Sequence, residues 1–422
     1  FEEKISGIID ILKDIDVILD LGHLGENIDF DSLSQKREED LLVLNSLSRF
    51  AFYKELTKNV ENPHLRIMCV ISMDGCFGYK QQDGLSIDPF YSSLCGFYKG
   101  LRKEFGNSKV KVVDIGSVKS SKLKKDVLST LVKELEEEFK HCEIGYDGDK
   151  RITLKLANVD RSELKTVENF EEVHFLITGG GNGITAEIIR EMSKTVKGKF
   201  TIIGRTIIPS NIEELSKLNE GELEQKRLEI FEQLKKEGKK ATPSEVQREF
   251  SAITKAISVY RLLKEIRENG NSAEYYSCDV SDYEALKAVV DKAVSSYGPI
   301  KVIIHGAGIE KSRLIGQKTK EEFDEIFSVK AKGICNLYRL ADKKALKVLI
   351  GFSSISGRFG NEAQLDYCSA NNFITGFISM VKSRHSEIRA LSLSWSGWKD
   401  MGMAWRNEFV KEHSEEMGLH LI

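Results

Sequence analysis

The chain has 422 residues, of which 41% are hydrophobic and 30% charged, and this excludes a low-complexity or largely disordered protein. Its 62 basic and 65 acidic residues nearly cancel, so we do not expect a general nucleic-acid-binding protein. Its first residues have neither the basic end nor the apolar core that are typical of a signal peptide, and no apolar run reaches the roughly 18 residues that a membrane-spanning helix needs. Its seven scattered cysteines predict neither disulfides nor a metal site. We therefore expect a cytoplasmic protein and, because the initiator Met is missing, a piece of a longer chain.

The first half of the chain alternates between strand-like and helix-like segments. Short apolar runs rich in β-branched residues predict strands at 16–21, 65–72 and 109–116. Amphipathic or charged stretches predict helices at 34–56, 89–105 and 122–140. Asp147-Gly148 predicts a hairpin turn. The alternation is typical of βαβ units with a mostly parallel sheet, and the weakly patterned segment 157–172 predicts a domain boundary.

The second half repeats this scheme with stronger strand signals. Six strands are predicted, at 173–179, 200–205, 273–280, 301–308, 347–354 and 389–395. Six strands with helices between them predict a doubly wound sheet. The fold class is therefore α/β with two Rossmann-like subdomains. We predict a truncated, structural subdomain at 1–165 and a catalytic subdomain at 166–422.

One interval of the second half is too long for a simple crossover. Between Arg205 and Ala273 lie about 67 residues, whereas a βαβ crossover commonly needs some 12–30. Thr242, followed by Pro243 and Glu245, has the pattern of a helix start with a capping box, and Gly270 fits a helix end. We predict a helical insertion over 209–269, with two long helices. It is either decoration, a protein–protein contact such as self-association, or a cover over a cofactor.

A glycine-rich loop lies between the first strand of the second half and the following helix. Glycines there let the backbone approach a pyrophosphate, and the helix N-terminus offers free N–H groups to the phosphates. The predicted cofactor-binding residues of this loop are Thr178, Gly179, Gly180, Gly181, Asn182, Gly183 and Ile184. Thr185 replaces the third glycine of a TGxxxGxG pattern. Its side chain should loosen the packing of the helix on the strand, or the helix start must shift.

Residues at the ends of the next strands predict the identity of the cofactor. Arg205 stands where an acidic residue would bind the ribose hydroxyls of NAD, and this favours the 2′-phosphate of NADPH. Asp279 ends the third strand, where it could meet the adenine ring. Val280 and Gly306, also at strand ends, complete the predicted cofactor-binding set at this edge.

Four residues form a candidate catalytic set: Lys330, Ser354, Tyr367 and Asn371. Ser354 ends a strand at the carboxyl edge of the sheet, and Asn371 shares a helical face with Tyr367. A tyrosine beside a lysine can deliver a proton to a carbonyl oxygen, with the ammonium lowering the pKa of the phenol from about 10. A serine can hydrogen-bond the developing oxyanion. Lys330 and Tyr367 are also predicted to contact the cofactor.

The second half resembles the ketoreductase domains of modular polyketide synthases, a branch of the short-chain dehydrogenase/reductases. The matching segments are 178–185, 305–308, 329–333, 352–360, 367–372 and 395–404. Ordinary members of that superfamily carry the lysine four residues after the tyrosine, where this chain has Asn371. The lysine at position 330, 24 residues before the serine, is characteristic of the polyketide-synthase ketoreductases. The first half fits the structural subdomain of these proteins because it lacks the cofactor motif.

The resemblance implies a function and partners. It implies NADPH-dependent reduction of a β-ketoacyl thioester on the phosphopantetheine arm of an acyl carrier protein, next to other synthase domains. Asn371 would orient Lys330 and a relay water, and the segment 401–422 would be a helical lid. The family's markers of product hand are missing, since Glu310, Lys311 and Ser312 replace one marker and Phe359 the other. These departures also resemble iterative synthases, including those that make polyunsaturated fatty acids.

Two alternatives stay open at this point. The unusual glycine loop and the insertion are compatible with a catalytically silent module that docks a carrier protein or a neighbouring domain. A free-standing reductase of small ketones is the other alternative. The complete Lys, Ser, Tyr and Asn set disfavours the first of these, and the catalytically silent first half disfavours the second.

Overall fold

The computed structural model describes residues 15–21, 30–59, 62–80, 87–106, 109–116, 125–158, 172–238, 240–402 and 422. The chain folds into two compact units. The first contains Phe1–Val167, Gly308–Cys335 and Lys347–Ser396, and the second contains Glu168–Ala307, Asn336–Leu346 and Gly397–Ile422. The predicted boundary segment lies mostly outside the described residues, so the division into 1–165 and 166–422 stays a prediction.

The first sheet has five strands in the order β1-β2-β3-β4-β5. Their bounds are β1 Val17–Asp20, β2 Arg66–Ile71, β3 Val110–Asp114, β4 Glu143–Asp147 and β5 Lys150–Ile152. The pairs β1–β2, β2–β3 and β3–β4 are parallel. The hairpin predicted at Asp147-Gly148 is confirmed, because β5 returns antiparallel to β4 and Gly148 has a φ of +62°.

The described helices of the first half lie between these strands in the sequence. They are α1 Gln35–Leu42, a π-helical segment Val43–Leu47, α2 Ser48–Asn59, α3 Pro89–Phe105 and α4 Lys125–Glu136. Helix α3 begins after Asp88, whose side chain accepts a hydrogen bond from the Phe90 N–H, and Pro89 fills the first turn, where it costs no hydrogen bond. The described α3 is almost entirely buried, so it serves as a core helix.

The second sheet has six strands in the order β11-β10-β9-β6-β7-β8. Their bounds are β6 Val173–Thr178, β7 Gly198–Gly204, β8 Ser272–Ser277, β9 Val302–His305, β10 Val348–Ser354 and β11 Arg389–Trp395. Strand β6 pairs parallel with β7 and β9, β7 with β8, and β10 with β11. This is the strand order of the Rossmann fold, and it confirms the predicted doubly wound sheet.

The long interval after β7 is helical, as predicted. It contains α6 Ile212–Leu215, α7 Glu220–Lys236 and α8 Pro243–Glu268, and the capping box of Thr242 with Glu245 is present. The first part of α8 packs on α7 through Val246, Ile230 and Leu234. Its last part is deeply buried, with Val259, Leu262 and Ile266 fully covered. Helix α8 is thus both the crossover helix of the sheet and one arm of the α7–α8 hairpin.

Four further helices of ordinary length and one short helix complete the described fold. They are α5 Gly183–Thr195, α9 Tyr283–Tyr297, α10 Lys320–Leu340, α11 Ile355–Phe359 and α12 Leu365–Arg384. Within the described ranges, the helices are either too short or too polar to cross a membrane.

Candidate active site

Tyr367 and Asn371 lie on the first turns of α12. The Asn371 side-chain N–H donates to the backbone carbonyl of Tyr367 at 2.7 Å, which places both residues on one face of the helix. Ser353, the neighbour of Ser354 in β10, donates its hydroxyl to the carbonyl of Asn371 at 2.9 Å. The end of β10 is thereby tied to the helix that carries the tyrosine.

Ser354 ends β10 and caps α11. Its Oγ accepts a hydrogen bond from the Ser356 N–H at 3.1 Å, and the residue is only 8% exposed. A serine at this position is held by the strand on one side and by the helix N-terminus on the other. Its hydroxyl also hydrogen-bonds the Tyr367 side chain, and a serine hydroxyl can donate to an acceptor such as a substrate carbonyl.

Lys330 reaches the same place from α10. Its ammonium donates to the carbonyl of Phe352 at 2.8 Å and lies 5.8 Å from the centre of the Tyr367 ring. A Cβ on Gly308 would lie 3.3 Å from the Lys330 Nζ, so glycine at that position leaves room for the ammonium. The first unit therefore brings all four predicted residues together.

Burial changes the pKa values of both Tyr367 and Lys330. It raises the pKa of Tyr367 to about 12, against the lowering effect of Asn371 and Ser354 and with a further increase from the charge of Glu310. Burial also lowers the pKa of Lys330 to about 8. The phenol pKa therefore lies above its usual value of about 10, because burial disfavours the charged phenolate. That the Lys330 ammonium lowers it stays a prediction.

Asn371 leaves one acceptor unused. Its Oδ1 is buried, and no hydrogen-bond partner for it is found among the described residues. An unpaired buried amide oxygen is costly, by about 1–3 kcal/mol, unless water or a ligand group satisfies it. The atom is therefore suited to hold a water molecule or a polar hydrogen next to the tyrosine.

Sequence reasoning missed the ion pair that holds the start of α12. Lys318 and Asp366 are both fully buried, with Nζ and Oδ2 2.5 Å apart, and the Lys318 ammonium also donates to the carbonyl of Lys311 at 2.8 Å. Asp366 accepts the N–H of Tyr367 through its other oxygen at 2.8 Å. No local pattern marks Lys318, because its partner is 48 residues away.

A polar network lies one helical turn before the tyrosine. The Gln364 amide nitrogen donates to Glu310 and Ser312, both at 3.1 Å, and its oxygen accepts from Ser356 and Asn361, both at 3.0 Å. All four hydrogen bonds of the amide are thus made, which fixes its orientation. The Glu310 position predicted for a stereochemical marker therefore holds a carboxylate anchored beside the catalytic set.

Residues of the first half hold the α11 helix that follows Ser354 and the loop after that helix. Arg358 makes a two-pronged ion pair with Glu143 of β4, and the Lys99 ammonium lies 3.1 Å from the same carboxylate. Glu143 and Lys99 are buried, and the two cations hold the pKa of Glu143 below its usual value despite burial, which acts to raise it. A Cβ on Gly360 would lie 2.3 Å from the Lys99 carbonyl, so the loop lies directly on α3.

The glycine loop lies in the second unit, between β6 and α5. Gly179 has a φ of +72°, and a Cβ there would lie 2.6 Å from the backbone nitrogen of Ala307, so only glycine fits. No described atom lies within 4 Å of a Cβ built on Gly183, so that side of the loop is open. Asn182 occupies the cap position of α5, and in the described structure its side chain makes no capping hydrogen bond, which leaves N–H groups for an anion.

The other predicted cofactor residues lie at strand ends of the second unit. Arg205 directly follows β7 and is exposed. Asp279 follows β8, and its Oδ1 accepts from the Ser281 N–H at 2.9 Å and from its hydroxyl at 2.7 Å. The Val280 carbonyl accepts a hydrogen bond from Asn336 at 3.0 Å. These bonds fix the turn after β8, while Gly306 follows β9 and lies against α5.

A known protein family matches most of the second half of this chain. The family model described as the KR domain matches residues 174–400, which is more than half of the chain. The chain belongs to the KR domain family. The predicted ketoreductase of the short-chain dehydrogenase/reductase superfamily is thus confirmed, and membership implies an oxidoreductase of the ketoreductase type that uses a nicotinamide cofactor.

Relatives of this KR domain are parts of much longer synthases. It is 27% identical over 367 residues to one of the polyunsaturated fatty acid synthase subunits of Thraustochytrium sp., an alignment that covers 84% of this chain and 13% of that protein. It is 33% identical over 150 residues to polyketide synthase PksN of Bacillus subtilis, covering 35% of this chain and 3% of that protein. The chain thus spans only a small part of the length of these relatives.

Solved ketoreductase structures share the fold of this KR domain. An N-terminal ketoreductase from the macrolactin assembly line superposes with a TM-score of 0.68 at 19% identity, covering 94% of this chain and 69% of that one. A multidomain structure with adenylation, ketoreductase and pseudo Asub domains superposes with a TM-score of 0.74 at 18% identity, covering 98% of this chain and 31% of that one.

The predicted lid and the second marker position lie in different parts of this KR domain. The predicted lid, 401–422, falls almost entirely on residues outside the described ranges and stays a prediction. Phe359, at the other marker position, ends α11 and is 50% exposed.

Proposed function

We propose that this KR domain reduces the β-keto group of an acyl thioester, carried on the phosphopantetheine arm of an acyl carrier protein, to the β-hydroxyacyl thioester with NADPH. The assembly line would be of the polyketide or polyunsaturated-fatty-acid type. The observation that carries the proposal is the cluster in which the half-buried Tyr367 lies with the buried Lys330, Ser354 and Asn371. The test is NADPH consumption on addition of a 3-oxoacyl thioester, and a parent protein that binds NADPH but never reduces the thioester contradicts it.

Each residue of the cluster has a role that its environment supports. When bound, NADPH supplies the hydride that adds to the β-carbon. Ser354 donates its hydroxyl to the keto oxygen, and Tyr367 gives that oxygen a proton, which its phenol retains at neutral pH because its pKa is about 12. The Lys330 ammonium then stabilises the phenolate, and the unpaired Asn371 Oδ1 holds the water that returns a proton.

The residues of the second unit suit NADPH. The glycine loop and the uncapped α5 N-terminus would hold the pyrophosphate, with Asp279 and Val280 near the adenine. Arg205 would pair with the 2′-phosphate because its guanidinium is exposed at the end of β7, where NAD-dependent relatives of the fold place a carboxylate.

Replacing Arg205 tests the choice of nucleotide. Arg205→Ala should weaken NADPH binding about tenfold or more and leave NADH binding nearly unchanged, since a charge-assisted hydrogen bond contributes about 1.5–3 kcal/mol. Calorimetric titration with both nucleotides measures this change in preference. Arg248→Ala, which removes an exposed arginine from α8, is the matched control. Equal loss of NADH and NADPH binding would show that Arg205 supports the fold and does not recognise the phosphate.

The pH dependence of reduction tests Lys330. Its pKa is lowered to about 8, so the ammonium is present below that pH and is lost above it. We expect kcat/KM to fall as the pH rises through about 8. The Lys330→Met variant should be slow and should not show this alkaline limb of the pH profile. Lys330→Arg, which stays charged, should move the limb to higher pH. If Lys330→Met reduces the ketone at the parent's rate and shows the same fall in kcat/KM at alkaline pH, the Lys330 ammonium has no role in the reduction.

A further inference from the structure

Thr185 and Gly306 are packed against each other in the second unit. Thr185 lies in the first turn of α5 and is 5% exposed. A Cβ built on Gly306 would lie 2.5 Å from the Thr185 Oγ1 and 3.0 Å from its Cγ2. Gly306 does not have the positive φ that would favour glycine, so the backbone alone would accept alanine there. Lack of space beside Thr185 is the main requirement for glycine at this position, and the Thr178 carbonyl oxygen, 3.1 Å from the same Cβ, adds a second close contact.

Rotation of the threonine cannot relieve this conflict. A threonine side chain fills two of the three staggered positions on its Cβ, and both filled positions face Gly306. Any other staggered rotamer fills at least one of these two positions again. An alanine at 306 therefore meets a heavy atom of Thr185 in every rotamer.

The end of β9 cannot move away either. The Gly306 N–H donates to the Thr178 carbonyl at 3.0 Å, and the Thr178 hydroxyl bonds to the Nδ1 of the buried His305 at 2.8 Å. The Ala307 N–H also reaches the Thr178 hydroxyl at 3.3 Å. Since β9 is held to β6 on both sides of Gly306, added volume at 306 must displace the start of α5.

We propose that Thr185 and Gly306 are a matched pair that positions the N-terminus of α5 for the cofactor pyrophosphate. The inference rests on the proposed use of NADPH. Gly306 then acts through Thr185 as a positioning residue, and it need not touch the nucleotide. The pair also explains why a threonine fits at 185, where the TGxxxGxG pattern has its third glycine. Because Gly306 has no side chain, the Thr185 side chain has room between α5 and β9.

Four variants test the pair by NADPH titration and by melting without nucleotide. Gly306→Ala should weaken NADPH binding about tenfold or more and lower the melting temperature, because one extra methyl group overpacks the contact. Adding Thr185→Ala, which removes both clashing atoms, should restore binding to within about threefold of the parent. Adding Thr185→Val, which keeps the shape, should not restore it. Thr185→Ala alone leaves the space beside Gly306 unfilled and should weaken NADPH binding by about threefold. Gly221→Ala on the exposed surface of α7 is the control.

Two results would overturn the pair. One is a Gly306→Ala variant that binds NADPH and melts like the parent. The other is a failure of Thr185→Ala to restore Gly306→Ala, which would mean that glycine at 306 makes room for the nucleotide itself. If the parent does not bind NADPH, the proposed function fails, whereas the melting temperatures of the same variants still decide whether the two residues are coupled.

Discussion

Tyr367→Phe is expected to lower the rate of ketone reduction by about a hundred- to ten-thousand-fold, the usual contribution of a general acid, while NADPH binds as before. The substitution removes one hydroxyl and keeps the ring that packs in the site. Because the phenol carries its proton up to a pKa of about 12, the parent has a proton to give throughout the neutral range, and phenylalanine has none. Stopped-flow or steady-state NADPH oxidation with a 3-oxoacyl thioester measures the change.

The control for this variant is Tyr260→Phe, which removes a phenol from the α8 helix, where Tyr260 packs beside Ile257. Its rate should equal that of the parent. A Tyr367→Phe variant that reduces the ketone at the parent's rate would remove the tyrosine from the mechanism. Loss of NADPH binding in the same variant would instead assign the hydroxyl to the cofactor.

Gly96→Ala is expected to cost about 3 kcal/mol of unfolding free energy or more, at the upper end of the cost of overpacking. A Cβ on Gly96 would lie 2.3 Å from the Cys368 carbonyl and 2.7 Å from the Cβ of Asn372, so helix α3 touches the backbone of α12. Gly100, one turn further along α3, approaches the Cα of Leu365 in the same way, with its own Cβ position 2.9 Å away. A methyl group at 96 must push away the turn that follows Tyr367.

Thermal or urea unfolding of Gly96→Ala measures this cost, and the ketone reduction rate well below the midpoint measures the effect on the site. Gly221→Ala is the matched control, because the same change on the exposed face of α7 should leave stability equal or slightly higher. An unchanged unfolding midpoint for Gly96→Ala would show that α3 and α12 are not packed as closely as described. It would also remove the argument that the first half positions the tyrosine.

Features with a local signal could be predicted from the sequence. The apolar runs of β6 and β10, the hairpin at Gly148 and the capping box at Thr242 all depend on neighbours within a few residues, and each is present. The proximity of Tyr367 and Asn371 follows in the same way from helical spacing. Lys330 is different, since no spacing along the chain predicts that it lies near Tyr367, and the fold brings it beside the ring.

Features that depend on contacts across the chain could not be predicted. The Gly96 contact with α12 spans 272 residues, as 368 − 96, and neither segment shows it alone. The buried ion pair of Lys318 with Asp366 and the space that Gly306 leaves for Thr185 are of the same kind. The direction of the Tyr367 pKa also needed the structure, because burial decides it and burial is a property of the packed site.

Reduction of a carrier-bound β-ketoacyl thioester with NADPH changes the mass of the acyl group itself. The most direct measurement loads a 3-oxoacyl group onto a phosphopantetheinylated carrier protein and follows it by mass spectrometry with enzyme and NADPH. We predict a gain of two hydrogen atoms on the acyl group, matched one to one by oxidised nucleotide, with no gain for Tyr367→Phe. If the acyl mass stays unchanged while the domain binds NADPH and the carrier protein, the domain does not reduce the thioester and is a docking module instead.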